Sequence, residues 1–259
     1  MTPRGRRILL IAGIATVVLA SCAWLFGFQT VMILETRWLA RKSPTIELVP
    51  VDLEDKSVCA AAGTKLSYFG YEFEVPWTDL DTTKTKLRPN LVGLKFRSGK
   101  SLIFATSAQR DFVKTVISST NEDTLRQLYG EAPFRSDFEM HRLILSATPE
   151  QLTLLTPRKE LVATSILLTM KAVMVGEESS IYTIQAPGFQ GFQYGNPQER
   201  PRHVGAQLFA DDGGLGFTFG GRGKGYPLGI SQPEINCVLQ SVHKTTQPPA
   251  GSGALAQSR

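Results

Sequence analysis

The stretch VGAQLFADDGGLGFTF (Val204–Phe219) holds two short apolar runs, Val204–Ala210 and Leu215–Phe219, separated by Asp211-Asp212-Gly213-Gly214. Asp and Gly tolerate the backbone angles of a tight reversal, so these four residues read as a hairpin turn between two strands. Upstream, Ser180–Ala186 and Phe189–Tyr194 read as two further strands. Downstream, the glycine-rich loop GGRGKGYPLG leads into SQPEINCVLQSVHK. There Ile235, Val238, Leu239 and Val242 follow the i, i+3, i+4, i+7 spacing of one buried helical stripe.

Further toward the N-terminus the periodicity changes. Arg110–Ser118 puts Phe112, Val113, Val116 and Ile117 on one helical face, and Thr120–Tyr129 runs from a capping residue to Gly130. Ser136-Asp137-Phe138-Glu139 is a capping box for a helix through Leu145, and Thr148-Pro149-Glu150-Gln151 is a second. Pro157–Val175 is apolar nearly all round over its second half and predicts a central, buried helix. Before this helical block, Thr45–Val51 is extended. Lys65–Trp77 alternates Tyr71, Phe73 and Val75 against Glu72 and Glu74, as a half-buried strand stopped by Pro76 does. Leu80–Pro89 reads as polar loop, and Ser98-Gly99 as the turn joining Leu91–Arg97 to Ser101–Thr106. Strands, a helical block, more strands and a last helix predict an α+β fold with an antiparallel sheet of about six strands packed by helices.

The N-terminal third carries a different signal. No charged residue occurs between Arg7 and Glu35, a run of 27 residues. As a helix it would reach about 40 Å, more than the roughly 30 Å hydrocarbon core of a bilayer. Arg4, Arg6 and Arg7 precede it; Arg37, Arg41 and Lys42 follow. The expected division is a basic N-tail (1–7), a transmembrane anchor or signal segment (8–34) and a juxtamembrane segment (35–58). A globular domain (59–244) with its helical block at 107–175 follows, then a tail (245–259). An alternative is lipidation at Cys22. Leu19-Ala20-Ser21-Cys22 resembles the lipobox of bacterial lipoproteins, in which the thiol is acylated and the chain cut before it. The apolar run continues past Cys22 to Leu34, where a lipoprotein turns polar, and this favours a retained helix. A short basic N-tail stays in the cytoplasm, which places the C-terminal domain outside it, in the bacterial cell envelope.

The net charge of +5 belongs to the anchor. Residues 43–244 hold 21 basic and 22 acidic side chains, which excludes the basic folded surface of a nucleic-acid binder. Of the three cysteines, Cys22 lies in the anchor. Cys237 points away from the buried stripe of its helix, where something must cover or bond it. The remaining thiol is Cys59, so a Cys59–Cys237 disulfide is expected in an oxidising compartment.

The chemistry-bearing motifs fail one by one. Gly99-Lys100-Ser101 lacks the upstream glycine spacing of a phosphate loop and is followed by a strand. His141, His203 and His243 form no zinc pattern, and no nucleophile elbow occurs. Asp79 with Asp81, and Asp211 with Asp212, fit solvated turns; Arg200 and Arg202 fit a solvated loop. No catalytic residue, metal ligand or cofactor site is predicted.

The segments YEFEVPW (Tyr71–Trp77), VGAQLFADDGGLGFTF and EINCVLQSV (Glu234–Val242), in this order, resemble the Mog1/PsbP-like sandwich. That resemblance implies an accessory or binding role without a shared catalytic site, and it transfers no role to any single residue. The expected function is a membrane-anchored, non-catalytic binding or accessory protein whose partner is the membrane and another envelope protein or ligand. The alternatives are an exported hydrolase pairing His203 with Asp211 or Asp212, and a carrier holding an apolar ligand between the 157–175 helix and the sheet.

Overall fold

The computed structural model describes residue 16 and residues 26–58, 63–107, 119–175, 180–199, 203–210, 213–221 and 229–245. The proposed helix at Arg110–Ser118, most of the anchor, Cys22, Cys59, Arg200, Arg202, Asp211, Asp212 and the tail beyond Thr245 lie outside these residues.

The described strands are β1 (Val51–Asp52), β2 (Thr64–Tyr68), β3 (Tyr71–Val75), β4 (Lys86–Arg88), β5 (Leu91–Lys95), β6 (Ser101–Ser107), β7 (Ile181–Ala186), β8 (Phe189–Tyr194), β9 (His203–Ala210), β10 (Gly213–Gly220) and β11 (His243–Lys244). The helices are α1 (residues 26–42), α2 (Ser119–Tyr129), α3 (Asp137–Ser146), α4 (Arg158–Val175) and α5 (Gln232–Ser241). The predicted α+β class is observed. The strand count is not: eight strands form one sheet in the order β1-β7-β8-β9-β10-β6-β5-β4, and β11-β3-β2 form a second. The expectation of about six strands missed the short edges β1, β4 and β11. Two- and three-residue strands have no periodicity to read and exist because a longer neighbour offers unpaired N–H and C=O groups. Pairing is antiparallel except between β1 and β7.

The predicted strand pair within Val204–Phe219 forms, but Gly213 and Gly214, expected in the turn, are paired residues of β10, and Asp211 and Asp212 lie outside the described residues. β9 and β10 pair along their full length, with Leu215 opposite Leu208 and Phe217 opposite Ala206. β10 then pairs with β6, where Phe217 faces Phe104 and Phe219 faces Leu102. Because side chains alternate across a strand, these registers collect one apolar set on one face of the large sheet. Phe73 and Val75 from the small sheet with Trp77 just after it, and Ile235, Val238 and Leu239 from α5 with Val242 at its C-cap, close over it. The stripe read from the sequence of α5 is therefore buried as a unit.

One strand prediction is corrected. Lys65–Trp77 is a hairpin, β2 and β3, reversing at Phe69 (φ 55°) and Gly70 (φ 82°). Phenylalanine rarely adopts a left-handed conformation. The signal of a two-residue turn was hidden because only Gly70 carries the expected residue type.

Helices cover the other face of the large sheet at its β7-β8-β9 end. Phe138 and Leu145 of α3 pack with Phe192 and Phe209. The rings of Phe138 and Phe192 stack at 5.1 Å. Behind α3 lies a separate helical core, with Ile33 and Ala40 of α1, Leu125 of α2, Met140 and Ile144 of α3, and Leu161, Leu167, Leu168 and Met170 of α4. The caps read from sequence work locally: Ser136 Oγ accepts from the Glu139 N–H at 3.2 Å, and Gly130 (φ 73°) ends α2. The second capping box closes only the short turn Pro149–Gln151. α4 is not the fully enclosed helix expected, because Val173 is 81 % exposed.

Candidate functional site: an apolar groove between α1 and α4

α1 carries two apolar faces. Gln29, Ile33, Thr36 and Ala40, spaced as one helical stripe, point into the helical core. On the opposite side, Val31, Leu34 and Trp38 follow i, i+3, i+7 and are 54, 60 and 62 % exposed. A surface helix of a water-soluble domain needs only the first face, and the second needs its own explanation.

Between α1 and α4 runs a groove of about 460 Å³, lined by Met32, Val162, Ser165, Ile166, Thr169, Met170, Val173 and Met174. Its two hydroxyls are turned back onto the backbone of α4. Ser165 Oγ donates to the Leu161 carbonyl at 2.8 Å and Thr169 Oγ1 to the Ser165 carbonyl at 2.9 Å. These polar atoms are satisfied within the helix, and the wall is apolar in effect. Val162 is shared with a second hollow of about 290 Å³ lined also by Phe28, Thr124, Arg158 and Lys159. The Arg158 guanidinium lies 5.6 Å from the centre of the Phe28 ring. Through Val162 the groove therefore adjoins a hollow that carries two cations. Arg158 and Lys159 of that hollow can hold an anion, and among the described residues lining the two hollows none is a nucleophile paired with a base. Just before α4, Leu155 is 86 % exposed and Leu154 is also exposed.

The titratable residues singled out in the sequence do not converge on it. His141 is buried in α3, with Nδ1 2.8 Å from the Asp137 carbonyl and its ring 4.6 Å from Phe209. Burial pushes its pKa down, with Asp137 opposing. His243 is exposed on β11, its Nε2 3.4 Å from Glu72. His203 starts β9 and Ala210, the neighbour of Asp211, ends it. Seven residues of strand separate them by about 23 Å, far beyond hydrogen-bond reach. The carboxylates of the expected hydrolase pair, Asp211 and Asp212, lie outside the described residues. Asp79 accepts from the Ser98 N–H and Asp81 from the Thr83 N–H and hydroxyl, so both brace turns. Among the described residues no group of three or more His, Cys, Asp or Glu side chains could hold a metal ion.

Two buried polar features escaped the sequence. Lys171 of α4 is fully buried, and its Nζ donates to the Ala147 carbonyl at 2.7 Å. Burial pushes its pKa down to about 8, with Glu150 opposing. The second is a chain of amides. Gln193 and Gln232 exchange hydrogen bonds at 2.8 and 2.9 Å, and Gln232 donates to Asn236 at 2.9 Å. Asn236 in turn donates to the Asp55 and Ser57 carbonyls, both at 2.8 Å. This ties residues 55–57 to α5, and Cys237, which the helical wheel placed away from the core, is buried. Nothing in the periodicity of α4 separates a groove wall from a core face, because both are apolar. The only local signal was Arg158-Lys159 beside that apolar run.

The chain matches no family model, and no curated protein or solved structure is significantly similar to it.

Proposed function

We propose that the protein is a membrane-tethered, non-catalytic binding or accessory domain held outside the cytoplasm in the bacterial envelope. The observation that carries this is the second apolar face of α1. The described part of that helix opens inside the uncharged run that ends at Leu34, and Val31, Leu34 and Trp38 belong to no buried core of the described residues. Gln29 and Ile33 already belong to the folded domain. Ile8–Phe28 still leaves 21 residues, about 31 Å of helix, enough for one crossing. Among the described residues no helix is long and apolar enough to cross a membrane, and residues 8–15 and 17–25 are not among them. Acylation at Cys22 would tether the same domain by a different route.

The Mog1/PsbP-like sandwich fits this proposal, since the large sheet carries α3 on one face and α5 with the small sheet on the other. The Cys59–Cys237 disulfide belongs to it too. The Ser57 carbonyl sits 2.8 Å from Asn236, the neighbour of Cys237. Two residues of chain from Ser57 reach at most about 7 Å, which matches the span of a disulfide. Forming it transfers two electrons and releases two protons to an exported thiol–disulfide oxidant.

A second reading, a carrier of an apolar ligand, is favoured by the groove. Its place differs from the expectation: the groove lies on the α1 side of α4 and not between α4 and the sheet.

The test is fractionation of cells producing the full-length chain. The protein is expected in the membrane pellet after an alkaline wash and to be digested by protease added to spheroplasts. Recovery in the cytosol, or protection from added protease, refutes the proposal. Mass spectrometry of the same sample under non-reducing conditions reads both the Cys59–Cys237 bond and acylation of Cys22.

A further inference from the structure

The groove and its surroundings carry four features in one place. Its wall is apolar from Val162 to Met174, about 18 Å along the helix axis. At Val162 one end adjoins the hollow lined by Arg158 and Lys159. The same end meets Phe28, where the uncharged N-terminal run joins the folded domain. Leu154 and Leu155 stand exposed four and three residues before Arg158.

We infer that this groove holds one acyl chain of an anionic phospholipid from the bilayer to which the domain is tethered, with the lipid phosphate between Arg158 and Lys159. The length fits, since one leaflet of the hydrocarbon core is about 15 Å thick. The charge fits as well: two cations and an apolar wall are complementary to an anionic head and a hydrocarbon tail. A partner helix would fill the wall but would leave the paired cations unexplained. A free anion would use the cations but leave the wall exposed to water. The inference rests on the tethered reading of the protein and deepens it.

The experiment is native mass spectrometry of the full-length protein in a non-ionic detergent, titrated with dioleoyl phosphatidylglycerol, with dioleoyl phosphatidylcholine, and with inorganic phosphate as competitor. One phosphatidylglycerol per chain is expected, with at least a tenfold preference over phosphatidylcholine and no displacement by millimolar phosphate. The Arg158→Glu, Lys159→Glu double variant loses the preference. Val162→Trp fills the groove and removes both lipids. Val173→Glu, at a solvent-exposed position that leaves the core untouched, weakens both lipids tenfold or more and guards against a folding failure in Val162→Trp. Retention of no lipid, equal retention of both lipids, displacement by phosphate, or binding indifferent to all three variants overturns the inference. A photoreactive benzoylphenylalanine at Val173 that captures protein and no lipid in cells also overturns it. Failure here with the protein still in the alkaline-washed membrane sinks the groove assignment alone; cytosolic recovery sinks the tethering.

Discussion

Replacing Lys171 with methionine should raise stability at neutral pH and lower it at high pH. An ordinary lysine titrates at 10.5, but burial in α4 holds this one near 8. That difference corresponds to about 3 kcal/mol, the cost of keeping the ammonium charged inside the folded domain. Its sign follows from proton counting. Below pH 8 both states carry the proton and the penalty is fully present. Between pH 8 and 10.5 the unfolded chain holds the proton and the folded domain does not, so stability rises with pH. From pH 7 to pH 10 the native protein should regain about 2.5 kcal/mol through this group. Methionine removes the penalty but deprives the Ala147 carbonyl of its donor, a loss of about 1.5 kcal/mol. Lys171→Met should then be about 1.5 kcal/mol more stable at pH 7 and about 1 kcal/mol less stable at pH 10. Urea unfolding of the full-length protein in detergent, followed by tryptophan fluorescence, gives the difference at each pH. Titrations common to both proteins cancel in the subtraction. A difference constant to within about 0.5 kcal/mol over this range would refute the placement of the charge.

The other expectations concern the parts that hold the domain together. His141 resists protonation because it is buried against Phe209, while the unfolded chain takes its proton near 6.5, so stability falls as pH drops below about 6.5. His141→Phe should flatten that acid limb in urea titrations at pH 7, 6 and 5. Burial pushes the Glu234 carboxyl up, but Lys100, Ser231 and Trp77 together outweigh it and hold it below 4.5. Its contribution is present above pH 4.5 and lost as pH falls; Glu234→Gln should cost about 2 kcal/mol at pH 7 and progressively less on acidification, read by the same titration. A Cβ at Gly191 would lie 2.1 Å from the Gln207 carbonyl oxygen, so Gly191→Ala must push β8 from β9. It should cost about 2 kcal/mol and speed amide exchange in both strands.

What was legible in the sequence was whatever a single element states about itself. The α5 stripe Ile235, Val238, Leu239 and Val242, the cap at Ser136 and the stop at Gly130 are local properties, and the structure has them where the pattern placed them. The β9–β10 pair was legible because the Asp-Asp-Gly-Gly run separates two apolar runs, although Gly213 and Gly214 themselves pair within β10. The β2–β3 hairpin was not, because the structure forces Phe69 into a conformation that its residue type disfavours. β1, β4 and β11 depend on neighbours distant in the chain. The groove is the least legible feature of all. Val162, Ile166 and Met174 look like core residues in the sequence, and only the placement of α1 decides that they border open space. Lys171 reads as a solvated charge until Ala147 is found beside it.

The way α1 is used narrows what the tether can do. A domain on a loose linker samples many orientations over a membrane, and its surface gains only effective concentration. Here Ile33 and Ala40 share a core with Leu161, Leu167 and Met170, so α1 is part of the folded domain, and under the proposed tethering the helix leaving the bilayer would be part of the domain it carries. Turning the domain relative to that helix would expose this core, and each buried leucine would lose roughly 2 kcal/mol or more. Tethering through α1, as proposed, would therefore fix orientation as well as distance. The groove lies beside that helix and adjoins, at Val162, the hollow at Phe28, so under that proposal the same packing would hold the groove mouth at the lipid. The large sheet, the small sheet and α5 are carried on the far side of α3.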